Sequence, residues 1–148
     1  MDHCIPMFTK KTLKETVGLA GAGDTKCQTI IGSVADESFV RELVQKAEDK
    51  FGSTEVLVNS AGTNTPERTL EVLSLKDYHD LINTNLHGSY YAIQAVLPSM
   101  RKAKSGTIVN IVSDAALWGM PLAGAAYTVS KFGLRGLTQA INAEENKN

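Results

Sequence analysis

Apolar positions along this chain change period several times, and each change marks an element. Val56-Leu-Val58 is an unbroken apolar run closed by Asn59-Ser-Ala-Gly62, and Thr107-Ile-Val-Asn-Ile-Val112, introduced by Gly106, is a second, mostly apolar stretch. The first has no polar alternation, and both fit strands, at 55–59 and 107–113, buried on both faces of a parallel sheet. A third β-rich run, Cys27 to Val34, predicts a strand over 27–34. Between the strands the period is helical. Phe39, Val40, Leu43, Val44, Ala47 and Phe51 recur at helical spacing behind Asp36, a good N-cap. Ser74 followed three residues later by Asp77 is a capping-box pattern. It opens a long helix through Tyr78, Leu81, Ile82, Leu86, Tyr90, Ile93 and Leu97, fading between Pro98 and Lys104. A last helix carries Lys131, Leu134, Leu137 and Ile141 into the polar end at 142–148. Residues 10–18 read as the charged outer part of a helix stopped by Gly18, with Gly21, Gly23 and Asp24 forming a turn. Strand and helix alternate, which predicts an α/β fold with a parallel sheet, in one domain over 1–148.

Composition narrows the function without naming one. With 43% hydrophobic and 21% charged residues, the chain of 148 is an ordinary globular sequence. A net charge of -1 gives no basic footprint, so nucleic acid and acidic membrane surfaces are not expected partners. No apolar run approaches the roughly 20 residues of a membrane span. The opening residues are too short and mixed for a secretory signal. Cys4 and Cys27 offer neither a disulfide framework nor metal spacing and read as free thiols of a reducing compartment. His3, His79 and His87 are scattered. These features predict a cytoplasmic protein without a metal site.

The chemistry gathers in one stretch, Ser113 to Lys131. A hydroxyl closes an apolar strand, a small-residue loop follows, and Tyr127 and Lys131 stand four apart on a helix. Positions i and i+4 share a helix face. An ammonium one turn away favours a phenolate and lowers the ionisation point of a phenol, which otherwise lies near pH ~10. The pair then suits a general acid/base, with Ser113 holding a substrate oxygen beside it.

Four local motifs resemble, in order and in structural context, those of the short-chain dehydrogenase/reductase family, in its 3-oxoacyl-[acyl-carrier-protein] reductase-like form. Asn59-Ser-Ala-Gly62 after a buried strand is similar to the family's Asn-Asn-Ala-Gly. Asn85, in Ile82-Asn-Thr-Asn-Leu-His-Gly88, resembles its helix-borne Asn. Ser113 and the pair Tyr127 and Lys131 match its catalytic Ser and Tyr-x-x-x-Lys. The resemblance spans roughly residues 10–148 and implies a partial Rossmann-like doubly wound sheet and an NAD(P) cofactor. It also implies interconversion of a small-molecule carbonyl and a secondary alcohol, and a homo-oligomer, dimer or tetramer, when complete. Tyr127 would pass the proton. Lys131 would lower its pKa and hold ribose hydroxyls, Ser113 would orient the carbonyl, and Asn85 would hold a relay water. Ser33 and Val34 would line the adenine pocket, and Asn59, Ala61 and Gly62 would flank the adenosine. Thr9-Lys10-Lys11 leans towards NADP through phosphate attraction.

Each of these positions has a plainer reading. Asn85 can be a mid-helix residue bonding backbone, Ser113 a cap at a strand end, and Asn59 the shaper of a turn. Ser33 stands where the family usually places Asp. Trp118, Met120 and Leu122 line a substrate pocket or simply pack, and His87 reads as structural. The family's Thr-Gly-x-x-x-Gly-x-Gly turn, which holds the cofactor pyrophosphate at a helix N-terminus, does not occur in this sequence. In the 3-2-1-4-5-6 strand order its absence removes the neighbour of strand 55–58 and leaves a buried edge unpaired. The expectation is therefore a fragment. Two alternatives to an enzyme follow: an inactive remnant, or an interaction module whose helices at 75–103 and 125–145 dock onto full-length homologues.

Overall fold

A computed structural model describes residues 27–146 together with Glu15, Val17 and Gly18. Those last three are helical, within the helix expected over 10–18. The expectations on Cys4, Thr9, Lys10, Lys11, Gly21, Gly23 and Asp24 fall outside the described residues.

Helix α1 (Glu37–Phe51) starts where the sequence signals it. The Asp36 carboxylate accepts from the N–H groups of Ser38 and Phe39, satisfying two of the orphan donors of the first turn. Strand β1 (Val56–Asn59) follows, then α2 (Leu75–Ile82), α3 (Gly88–Ala103), β2 (Thr107–Asn110) and α4 (Ala125–Glu145). Ser74 caps α2 as its pattern predicts, accepting from the Asp77 N–H at 3.0 Å and donating to the Asp77 carboxylate at 2.7 Å. β1 and β2 pair in parallel, with Val56 opposite Thr107 and Asn59 opposite Asn110. α3 lies against β1, α4 against β2, and α1 against α3. Val40, Leu81, Ile93, Val96, Met100 and Leu134 are buried where these helices meet. Burial of each such side chain stabilises by roughly 1.5–3 kcal/mol. Polar ties cross the layers as well. Ser99 on α3 donates to Glu48 of α1, and Arg101 of α3 pairs with Glu145 of α4.

Three expectations need correction. The run 27–34 is not a strand: residues 27–33 carry no ladder, and Val34 and Ala35 form a turn closed by Asp36 N–H to Ser33 C=O at 3.1 Å. β-branched residues make a strand only beside a partner, and no partner for this run exists among the described residues. The sheet is not buried on both faces. Leu57, Ile108, Asn59 and Asn110 turn inward, whereas Val56 and Val58 are 58% and 57% exposed. The described helices cover one face only, and among the described residues β1 pairs with β2 alone. The long helix from 75 is not continuous. Between α2 and α3 a π turn occupies Asn83–His87, closed by the Gly88 N–H on the Asn83 carbonyl. Beyond it, α3 runs past Pro98 to Ala103.

Candidate active site

The π turn is the pivot of the site. Such a turn inserts one extra residue into a helix and is frequent at functional positions. Here it rotates Asn85 into the interior, where it is fully buried. The Asn85 side-chain oxygen accepts from the Thr63 N–H at 2.8 Å, and its amide donates back to the Thr63 carbonyl at 2.9 Å. That amide also donates to the Ser130 hydroxyl on α4 at 3.2 Å. One side chain therefore clamps the loop after β1 to two helices. His87 bonds the Asn83 side chain within the same turn at 2.9 Å, in keeping with a structural role.

Lys131 enters from α4. It is only 5% exposed, and its ammonium donates to the Ile111 carbonyl at 2.9 Å, two residues before Ser113. The same ammonium lies 5.6 Å from the centre of the Tyr127 ring, within cation–π range. Burial pushes the Lys131 pKa below the ordinary lysine range. No carboxylate among the described residues forms an ion pair with it. A Cβ built on Gly62 would stand 3.6 Å from both the Asn85 side-chain oxygen and the Lys131 ammonium, so these three positions meet at one spot. No hydrogen bond among the described residues occupies the Tyr127 hydroxyl.

Other candidates are committed to structure. Ser113 caps a short 3-10 turn (Asp114–Ala116), accepting from the Ala115 N–H at 3.2 Å and donating to the Asp114 carboxylate at 2.8 Å. The Asn59 amide donates to Asn110 at 2.8 Å, and Asn110 donates to Thr138 on α4 at 2.9 Å, a polar rung tying both strand ends to the helix. The Ser33 hydroxyl accepts from the Ala35 N–H within its own turn, and Val34 packs on Gly88, where a Cβ would meet it at 2.9 Å. Trp118 and Leu122 project from the loop at 57% and 79% exposure, so packing does not account for them. Sequence reasoning missed Ser130, fully buried between Asn85 and Tyr127. A small hydroxyl directly before the Lys, on the inward side of the helix, was the signal available.

Among the described residues no three His, Cys, Asp or Glu side chains cluster as a metal site, and no described helix is long and apolar enough to cross a membrane. A parallel pair of strands backed by helices, with a Tyr–Lys pair beside the strand ends, is a partial α/β Rossmann-like fold. The family model for short chain dehydrogenases matches residues 6–148, and the chain belongs to that family. It is 35% identical over 127 residues to the 3-oxoacyl-[acyl-carrier-protein] reductase FabG of Thermotoga maritima, covering 86% of this chain and 49% of the relative. It is 36% identical over 115 residues to the FabG of Staphylococcus epidermidis strain RP62A, covering 78% of this chain and 46% of the relative. The structure of ElxO with NADP bound superposes with a TM-score of 0.84 at 31% identity, covering 94% of this chain and 56% of ElxO. The chain spans about half the length of the curated relatives it matches.

Proposed function

We propose that this chain carries the proton-transfer half of an NAD(P)-dependent oxidoreductase that interconverts a small-molecule carbonyl and a secondary alcohol. The observation that carries the reading is Lys131, a buried ammonium held one helical turn from Tyr127 and beside Asn85. A desolvated cation with no carboxylate ion-paired to it among the described residues favours negative charge developing beside it, and the Tyr127 hydroxyl lies one turn away. The site fits the nicotinamide end of a dinucleotide. Lys131 has spent one of its three N–H donors, leaving two for ribose hydroxyls, and the Tyr127 hydroxyl is uncommitted. Asn59 gives one amide proton to Asn110, which leaves its side-chain oxygen and second N–H for a cofactor contact. Ala61 and Gly62 offer backbone at the strand end, and the Ser33–Val34 turn would lie at the adenine end. The ElxO neighbour, with NADP bound, supports a lean towards NADP.

Nicotinamide, when bound, supplies the hydride. In the reducing direction Tyr127 gives its hydroxyl proton to the carbonyl oxygen, and Lys131 stabilises the phenolate left behind. Ser113 must turn its hydroxyl from Asp114 to the substrate oxygen to stabilise developing negative charge there. Asn85, with both ends of its amide engaged by Thr63 and Ser130, acts on the site by holding the backbone that surrounds it, and any relay water would sit beside it. The names of the relatives point to a 3-oxoacyl thioester as the class of carbonyl to try first. A dimer or tetramer would form through α3 and α4, whose shared groove is lined by Tyr90, Ile93, Leu97, Leu137 and Ile141.

A second reading rests on the sheet. Val56 and Val58 face outward and the far edge of β1 is unpaired among the described residues, which favours an inactive chain that docks onto full-length homologues. The discriminating experiment grafts residues 27–146 into the matching region of the Thermotoga maritima reductase and follows NADPH oxidation with an acetoacetyl thioester. Turnover that falls about 10²–10⁴-fold on Tyr127→Phe supports the enzyme reading. A graft that folds but turns over equally well with Phe at 127 refutes it.

A further inference from the structure

We propose that Ser130 is a positioning residue that braces the Tyr127 turn of α4 against the loop after β1, through Asn85. The inference rests on the reading of Tyr127 as the proton-transfer group. Four groups form one chain: the Thr63 backbone, the Asn85 amide, the Ser130 hydroxyl, and the Tyr127 carbonyl, to which Ser130 donates at 2.7 Å.

The brace matters because α4 starts without a side-chain cap. Its N-cap is Gly124, which has no side chain to bond the free N–H groups of the first turn. Tyr127 sits in that turn. The loop after β1 also holds the residues just before Tyr127, through the Asn64 amide on the Ala123 carbonyl at 2.9 Å and the Ala125 N–H on the Arg68 carbonyl at 3.4 Å, and the Asn85–Ser130 link is the crossing that reaches the Tyr127 carbonyl itself. A hydroxyl has one donor and two acceptor sites. By giving its proton to the Tyr127 carbonyl, Ser130 turns a lone pair to Asn85, and the two bonds are set by each other. Asn85 and Ser130 are both fully buried, so water does not readily replace either partner. Removing the hydroxyl leaves one Asn85 amide proton without an acceptor. Asn85 recovers a partner only by turning away from Thr63 or by admitting water, and either change loosens the loop. The Asn85 side-chain oxygen and the Lys131 ammonium meet at one spot, each 3.6 Å from a Cβ built on Gly62, so water admitted beside Asn85 reaches that ammonium.

The test uses the 148-residue chain itself and needs neither cofactor nor turnover. Amide hydrogen exchange is measured at Thr63 and at Val96, and the side-chain titration of Lys131 is followed by NMR, in the wild type, Ser130→Ala and Ser130→Thr. The brace predicts Thr63 exchange about tenfold faster in Ser130→Ala with Val96 unchanged. It also predicts a Lys131 titration moved up towards that of an ordinary lysine, because hydration relieves the burial that depresses it. Ser130→Thr, which keeps the hydroxyl, should restore both. Unchanged Thr63 exchange in Ser130→Ala overturns the brace, as does equal acceleration at Thr63 and Val96 that threonine does not correct. If the brace holds while the grafted Tyr127→Phe enzyme still turns over, the coupling is real and the catalytic reading of Tyr127 fails.

Discussion

The Lys131 ammonium bonds the Ile111 carbonyl at 2.9 Å while lying 5.6 Å from the centre of the Tyr127 ring. The first contact fixes the cation to the end of β2, and the second presents it to the one aromatic hydroxyl a turn away. A charge held this way is a liability for folding, since burial disfavours the ammonium and no described carboxylate offsets it. The arrangement makes physical sense if the charge is kept for chemistry.

That liability yields a prediction with a defined sign. The folded-state pKa of Lys131 lies below its unfolded value, so between those two values the unfolded chain binds more protons, and stability from this group rises with pH. Lys131→Met keeps the stem and removes the charge. Urea unfolding at pH 7 should show the variant more stable than the wild type, with the gap closing as pH approaches the ordinary lysine value of about 10.4. A variant less stable at pH 7, or a gap that widens with pH, contradicts the account.

Asn85→Ala strips both backbone groups of the half-buried Thr63 of their partners. Each buried group left unmatched costs about 1–3 kcal/mol. Equilibrium urea unfolding should therefore show a loss of about 2–6 kcal/mol with the m-value unchanged. A loss under about 0.5 kcal/mol, the size of an ordinary surface substitution, would show that the clamp carries no weight.

Much of this was legible in the sequence, and the failures share a cause. Asp36 and Ser74 announced their helices because capping is local chemistry, satisfied within four residues. Val56-Leu-Val58 and the run from Thr107 announced strands, and Tyr127 and Lys131 announced a shared helix face. What went wrong depends on distant partners. The run 27–34 has β propensity but nothing described beside it. The π turn leaves no clear mark in the apolar period, because one extra residue shifts the face only once. Ser130 looks like any helical serine until Asn85, 45 residues away in sequence, is seen to need an acceptor. Ser113 and Asn59 fit their plainer readings geometrically, as a cap and a strand tie, without losing their place beside the site.

Gly124 should tolerate no side chain. Its φ is +81°, and an added Cβ would stand 2.6 Å from the Arg68 carbonyl oxygen. A left-handed residue and a backbone clash together cost on the order of 2–3 kcal/mol. Gly124→Ala should lower the urea midpoint accordingly, whereas Gly136→Ala, with open space around it, should be neutral or stabilising by a few tenths to about 1 kcal/mol. Equal effects at the two positions would refute the proposed entry of α4.

Whether this chain offers the nicotinamide end of a dinucleotide site, and little else, is most directly tested by saturation-transfer NMR with NADPH. Tyr127 and Lys131 are in place, but the sequence holds no Thr-Gly-x-x-x-Gly-x-Gly turn to grip the pyrophosphate. End contacts alone must offset the ordering of a long flexible ligand. Affinity should be about millimolar, roughly -4 kcal/mol, with transfer strongest at the nicotinamide and its ribose and lost in Lys131→Met. Micromolar saturable binding, or transfer that Lys131→Met leaves intact, would contradict the account.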